Sequence, residues 1–356
     1  MTDSDLESAS LSHGSLVDRQ PLSDDLPPVQ PPSAGFIVQL FVFPALIVMG
    51  VVAIWWMFGL IAVGEQDWRK LLQDLQSQNL HVRNRSMYGL AQVLEQDSRR
   101  GEQGQHLRIN REIAQALAEQ LVIELRKNST SKEGLAIQEY LTRALGMMDS
   151  LDAITPALKM ALEPQREEEI RKSALVSISL IAGRADEVGR PLTDSNLIES
   201  LIQTSGDSAP IIRQTSAFAL GLFQSPAATQ QLEVLLENPD RFTAVNAALG
   251  LARRGSTKGY EVFLKSLSEQ LIPIEPKRPL NPSENPATVK PDNLDPAGDQ
   301  FRIQKNVLKA INDLAAKFDE AQRQTLMPLV EKLASTHPEI RIRIDAEAAL
   351  NSLKAQ

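Results

Sequence analysis

The chain has 356 residues, 42% of them hydrophobic, no cysteine and a net charge of -8. The lack of cysteine excludes disulfides, thiol nucleophiles, cysteine-held zinc and iron–sulfur clusters. An acidic balance without a basic stripe argues against broad nucleic-acid binding, which needs clustered Lys and Arg to displace counterions.

Residues 1–34 are rich in Ser, Asp and Pro, close on LPPVQPPSA and lack apolar periodicity. Such a segment cannot bury enough surface to offset its chain entropy, so it reads as a disordered tail. Residues 35–64 read as a transmembrane helix: the stretch from Phe36 to Gly64 carries no charge, and at ~1.5 Å per helical residue it outspans a hydrocarbon layer of roughly 30 Å. Pro44 should kink this helix or mark its first turns, and Trp55, Trp56 and Trp68 are placed for the interface at its C-terminal end. A cleaved signal peptide, with Ala62-Val63-Gly64 as its small-x-small site, fits poorly. Its n-region would be a long acidic tail, and its apolar run far exceeds the usual 7–15 or so residues. Arg19 alone is basic on the N-terminal flank, whereas Arg69, Lys70, Arg83 and Arg85 follow the span. The positive-inside bias therefore predicts a single-pass protein with a cytoplasmic C-terminal body.

Residues 65–356 alternate apolar helical stretches with short polar turns, and few alternating β-branched runs suggest strands. Self-comparison yields one recurring pattern: an apolar residue, often followed by Arg as the reference position, then a small residue three later and a small-plus-Leu or small-plus-Ile pair at six and seven. It occurs as VRNRSMYGL from Val82, IQEYLTRALG from Ile137, IRKSALVSI from Ile170, IRQTSAFALG from Ile212, RFTAVNAALG from Arg241, IQKNVLKAI from Ile303 and IRIDAEAAL from Ile342. Small residues at three and six let helices approach closely while the larger residue at seven fills the groove between them. The reference positions 83, 138, 171, 213, 242, 304 and 343 are spaced by 55, 33, 42, 29, 62 and 39 residues. The polar loop SRRGEQGQ accounts for the spacing of 55, and a Pro-rich insertion at 273–300 for that of 62. In that insertion Pro273, Pro276, Pro279 and Pro282 recur every third residue beside Lys277 and Arg278. This is the period of a polyproline II helix, and suits either a stiff connector or a docking strip for an aromatic-lined module.

On these seven copies the body resembles the HEAT-repeat family, especially its phycobilisome-lyase-like bacterial subset, over about four fifths of the chain. The resemblance implies an all-α, HEAT-like α-solenoid, a superhelix of helical hairpins, here preceded by one transmembrane helix. It also implies that Arg83, Arg171, Arg213 and Arg343 hold the framework rather than a ligand. In the family a turn Asp six residues before such an Arg helps build a ladder between repeats, the spacing that Asp207 and Arg213 keep.

Residues for catalysis are scarce. The histidines are His13, His81, His106 and His337; none is followed by Glu and no two share an i, i+4 face. The His-Glu pairs that the iron-dependent HEAT enzyme deoxyhypusine hydroxylase needs are therefore absent. No GxxxxGK[ST], GxGxxG or GxSxG string occurs. Glu167, Glu168 and Glu169 lead into a helix, where carboxylates favour the N-terminal dipole. The expectation is a membrane-anchored scaffold or adaptor that holds a protein partner through its solenoid surface. No enzyme activity, catalytic or metal-binding residue, cofactor, nucleic acid or small-molecule substrate is expected. A chromophore lyase or chaperone-like protein of the phycobilisome-lyase type is the alternative, and DNA-lesion recognition is disfavoured by the acidic charge.

Overall fold

The computed structural model of the chain describes residues 38–62, 67–272 and 296–355, together with Gly35. Every regular element among them is helical. The chain divides into two compact units, 1–65 and 66–356. The acidic tail and the proline triplets of 273–282 lie outside the described residues.

In the first unit a π-helical turn, Val38–Val42, leads into helix α1, Phe43–Ala62. Pro44 is the second residue of α1, directly after the π-helical turn. The stretch Val38–Met57 has a mean hydropathy of 2.4 and every one of its side chains is exposed. Its 20 residues extend about 30 Å as a helix, long and apolar enough to cross a bilayer.

The second unit is a row of helical pairs. Helices α2 (Trp68–Leu75) and α3 (Leu80–Arg100) form the first pair, α4 (Arg111–Arg126) and α5 (Lys132–Leu145) the second, and α6 (Leu151–Ala161) and α7 (Glu168–Glu187) the third. Then come α8 (Ser195–Thr204) with α9 (Pro210–Leu220), α10 (Pro226–Leu235) with α11 (Arg241–Arg253), α12 (Tyr260–Ser268) with α13 (Pro296–Leu314), and α14 (Glu320–Thr336) with α15 (Ile340–Lys354). All seven copies of the pattern fall on second helices of pairs, and each second helix packs against the next. Polar side chains set the starts: Asp67, Asn79, Asn110, Ser131, Asp194 and Asp240 cap their helices, and Asp319 forms a capping box with Gln322. The small residues Ser86, Ala174, Ser216 and Ala346, three after the reference position, are all buried.

The core runs as two apolar clusters that meet within α11, where Ala247 and Leu251 belong to one and Val245 and Ala248 to the other. Neighbouring repeats approach closely at Gly221 and Gly250: a Cβ built on either would lie 2.9 Å from the other's Cα. Backbone thus packs directly on backbone, which only glycine permits.

Three details depart from the sequence reading. Trp68 does not flank the span as an interfacial ring; it is 5% exposed, begins α2 and packs in the core cluster that includes Leu72 and Leu75. Burial of its indole against that repeat outweighs its nearness in sequence to the apolar run. The loop behind the spacing of 55 is shorter than its composition suggests, because α3 continues through Arg100. The chain then folds back so that the Asp97 carboxylate accepts the N–H groups of Gln105 and Leu107. Finally, residues 296–300, which composition assigns to the Pro-rich insertion, form the first turn of α13. Gln300 is buried there, its Nε2 donating to the Gln270 carbonyl at 2.9 Å and its Oε1 accepting the Ile272 N–H at 2.8 Å.

Candidate partner-binding face

Each second helix is backed by its own first helix and flanked by its neighbours, which leaves one side for solvent. At about 100° per residue, the position five after the reference lies about 160° around the helix from the buried position at three. That row carries Tyr88, Arg143, Val176, Phe218, Lys309 and Ala348, all exposed, with the buried Ala247 as the one exception. Tyr88 is 65% exposed, Val176 40%, Phe218 37% and the neighbouring Leu180 of α7 52%. The Tyr88 ring meets Tyr140 of α5 edge-on at 5.2 Å, and the Tyr140 hydroxyl donates to the Met87 carbonyl. Burial pushes the pKa of this phenol up to about 12. The Arg253 guanidinium lies over the Phe218 ring at 5.1 Å.

The charges of this face run against those of the chain. In the rows one and five after the reference stand Arg143, Lys172, Lys305 and Lys309, with Glu139 the sole carboxylate. Arg143 is bound to Glu139 at 2.6 Å and Lys172 to Glu169 at 3.5 Å, whereas Lys305 and Lys309 have no ion-pair partner among the described residues. Exposed apolar side chains on α3, α7 and α9 thus share this face with cations on α13, on a protein whose net charge is -8. The repeat pattern contained the signal for it, since position five breaks an otherwise buried spacing with aromatic, aliphatic or basic residues.

The edge of the layer near the turns is held by a polar ladder that the Asp–Arg spacing only partly foresees. The Asp207 carboxylate pairs with Arg171 of the preceding repeat, not with Arg213, which instead donates to the Asp207 and Ser208 carbonyls at 2.9 Å each. Arg83 reaches Glu124 at 3.9 Å, Gln214 donates to Asp240 at 3.2 Å and Arg241 pairs with Glu269 at 2.6 Å. Gln304 meets the His337 Nε2 at 3.2 Å, and Arg343 donates to the His337 carbonyl at 3.1 Å. Each contact joins neighbouring repeats or closes a turn within one, so these arginines and their counterparts hold the framework. Glu167 precedes α7 as its N-cap residue, and Glu168 and Glu169 lie in its first turn.

A groove of about 680 Å³ opens between α6 and α8, lined by Thr155, Lys159, Glu163, Ser200, Gln203 and Asp207 among others. Its half-buried carboxylate Asp207 is engaged by Arg171 and by the Ala209 N–H at 2.8 Å. This leaves it no free role as a base. Among the described residues no group of His, Asp and Glu is arranged to hold a metal ion.

No protein-family model and no curated protein matches the chain in sequence. Solved structures are similar to it at low identity. A designed armadillo repeat protein in complex with the peptide (KR)4 is 15% identical, the match covering 81% of this chain and 100% of that one, with a TM-score of 0.39. The complex of CpcE and CpcF of phycocyanin lyase from Nostoc sp. is 15% identical over 81% of this chain and 95% of that one, with a TM-score of 0.41. Human deoxyhypusine hydroxylase in complex with glycerol is 15% identical over 83% and 98%, with a TM-score of 0.30. At these values the likeness extends to helical-repeat architecture alone, and no residue role follows from it.

Proposed function

We propose that the chain is a membrane-tethered, non-catalytic adaptor. The exposed side of its stacked second helices holds a protein partner that presents apolar side chains flanked by carboxylates. The observation that carries this reading is the exposure of Tyr88, Val176, Leu180 and Phe218 on α3, α7 and α9, with Lys305 and Lys309 of α13 lacking an ion-pair partner among the described residues. Exposed apolar side chains cost solubility and are retained where a partner covers them, and opposite charge speeds and orients the encounter. The apolar stretch Val38–Met57 supports the tether, and the basic residues after it support a cytoplasmic body. Tethering confines both molecules near one surface and raises their effective concentration.

The test is chemical crosslinking in native membranes with the intact chain and with a Leu180→Glu/Phe218→Glu variant. Both positions are exposed, so circular dichroism should be unchanged while the crosslinked partner is lost. Full recovery of the partner by the variant would refute this face as the docking site. A bilin absorbance shift on the purified full chain would refute the adaptor reading itself, in favour of the lyase expectation.

A further inference from the structure

A second groove, of about 670 Å³, opens at the other edge of the layer, where the C-terminal ends of α11 and α13 meet the start of α10. Arg253, Arg254 and Lys317 line it, with Ser225, Thr229 and Asp313. None of the three cations has an ion-pair partner among the described residues. Arg254 spends its Nη2 on the Leu220 and Phe223 carbonyls, but its Nε and Nη1 are buried without any acceptor. Buried guanidinium donors left unmatched are costly, and Arg254 shares that cost with Arg83, Arg166 and Arg241, so the case for a ligand rests on the groove and its three cations.

Burial, opposed by the attraction of Asp186, lowers the pKa of Arg253. For Arg254 burial and then the repulsion of Arg253 do so, again against Asp186. Lys317 reaches over Gly255, which adopts φ +74°. On the third side Ser225 is the N-cap residue before α10, and its hydroxyl makes no capping bond.

Placing cations at the carboxyl ends of α11 and α13 is by itself ordinary helix chemistry. Three of them converging unpaired in one groove, in an acidic chain and beside the amino end of a third helix, exceeds what helix ends require. The geometry points to a binding site for a phosphate group, seated between the Arg253 and Arg254 guanidinium groups and the Lys317 ammonium and completed by the start of α10. Planar forks and a three-donor ammonium together suit a multi-oxygen tetrahedral anion. Asp313 tempers the affinity. The site adjoins the proposed partner-binding face, since Arg253 lies over Phe218 at 5.1 Å.

The experiment uses the full chain in non-ionic detergent, titrated calorimetrically with inorganic phosphate, with dihexanoyl phosphatidate and with acetate. Saturable binding of inorganic phosphate supports the site with a soluble phosphate as its ligand, and binding of phosphatidate alone supports it with a lipid headgroup. Arg253→Gln/Lys317→Gln should weaken binding at least tenfold, and both residues are exposed enough for the variant to fold. Asp313→Asn should tighten binding a few-fold, an effect that a merely structural change would not give. Binding of neither phosphate species, acetate binding as tight as phosphate, or undiminished binding by the double variant would each overturn the proposal.

Discussion

Replacing Gly250 with alanine should destabilise the protein, while the same replacement at Gly183 should stabilise it, although both glycines lie inside second helices. An added methyl restricts the unfolded chain and favours a helix interior by ~0.5–1 kcal/mol. At Gly183, within α7, nothing lies within 4 Å of that methyl, so the gain should appear in full. At Gly250 the methyl would stand 2.9 Å from the Cα of Gly221 and 3.1 Å from the Leu232 Cδ1. Carbon atoms prefer roughly 3.5 Å or more, so the repeats containing α9 and α11 must part by about 0.6 Å. Overpacking of this kind costs ~1–3 kcal/mol, which exceeds the helical gain and leaves a net loss of up to about 2 kcal/mol. Gly221→Ala meets the same Cα from the other side and should behave alike. Because a repeat array is stabilised by interfaces between neighbours, the loss should be local. Urea unfolding followed by circular dichroism would give the sign, and hydrogen exchange in α9 and α11 its location. A Gly250→Ala midpoint shifted upward as far as that of Gly183→Ala would refute the close-packing argument.

Asp207→Ala strands the buried Arg171 guanidinium and should cost ~3–5 kcal/mol, and a companion Arg171→Met change should recover much of it, measured by urea unfolding as a double-mutant cycle. Trp68→Ala should cost ~3–5 kcal/mol by the same assay, as expected for a core side chain and not for a ring at a membrane surface. His337 is held neutral: its Nδ1 accepts the Glu339 N–H at 3.1 Å, and burial lowers its pKa below the ordinary 6.5. The unfolded chain then takes up the proton first. This contribution is fully present above pH 6.5 and is lost as pH falls from there toward the depressed folded value. His337→Gln should flatten thermal stability across that window, and an unchanged slope would assign it to other groups.

The pairing of helices was legible because close packing leaves a periodic trace: Ser86, Ala174, Ser216 and Ala346 are small where helices touch, while Leu141, Val245 and Val307 are buried at the same position of the other three second helices. The ladder was less legible, since its contacts use different residues in each repeat. The spacing alone cannot say that the Asp207 carboxylate turns to Arg171 while Arg213 takes carbonyls. Trp68 was misplaced because a tryptophan suits a membrane surface and a protein core equally well, and only the neighbouring Leu72 and Leu75 decide between them. The exposed row could be read from position five of the pattern once that position was known to face water. The groove around Arg254 could not, because it gathers side chains from α10, α11 and the end of α13 that share no motif.

The clasp formed by Gln300 has a practical consequence. With one amide joining the segment that ends at Ile272 to the helix that begins at Pro296, the two borders of the insertion are fixed beside each other whatever length of chain runs between them. Loop-closure entropy grows only slowly with length, so this is a natural splice point. A fluorescent or enzymatic domain grafted between residues 273 and 295 would hang from the side of the protein without changing how successive repeats stack.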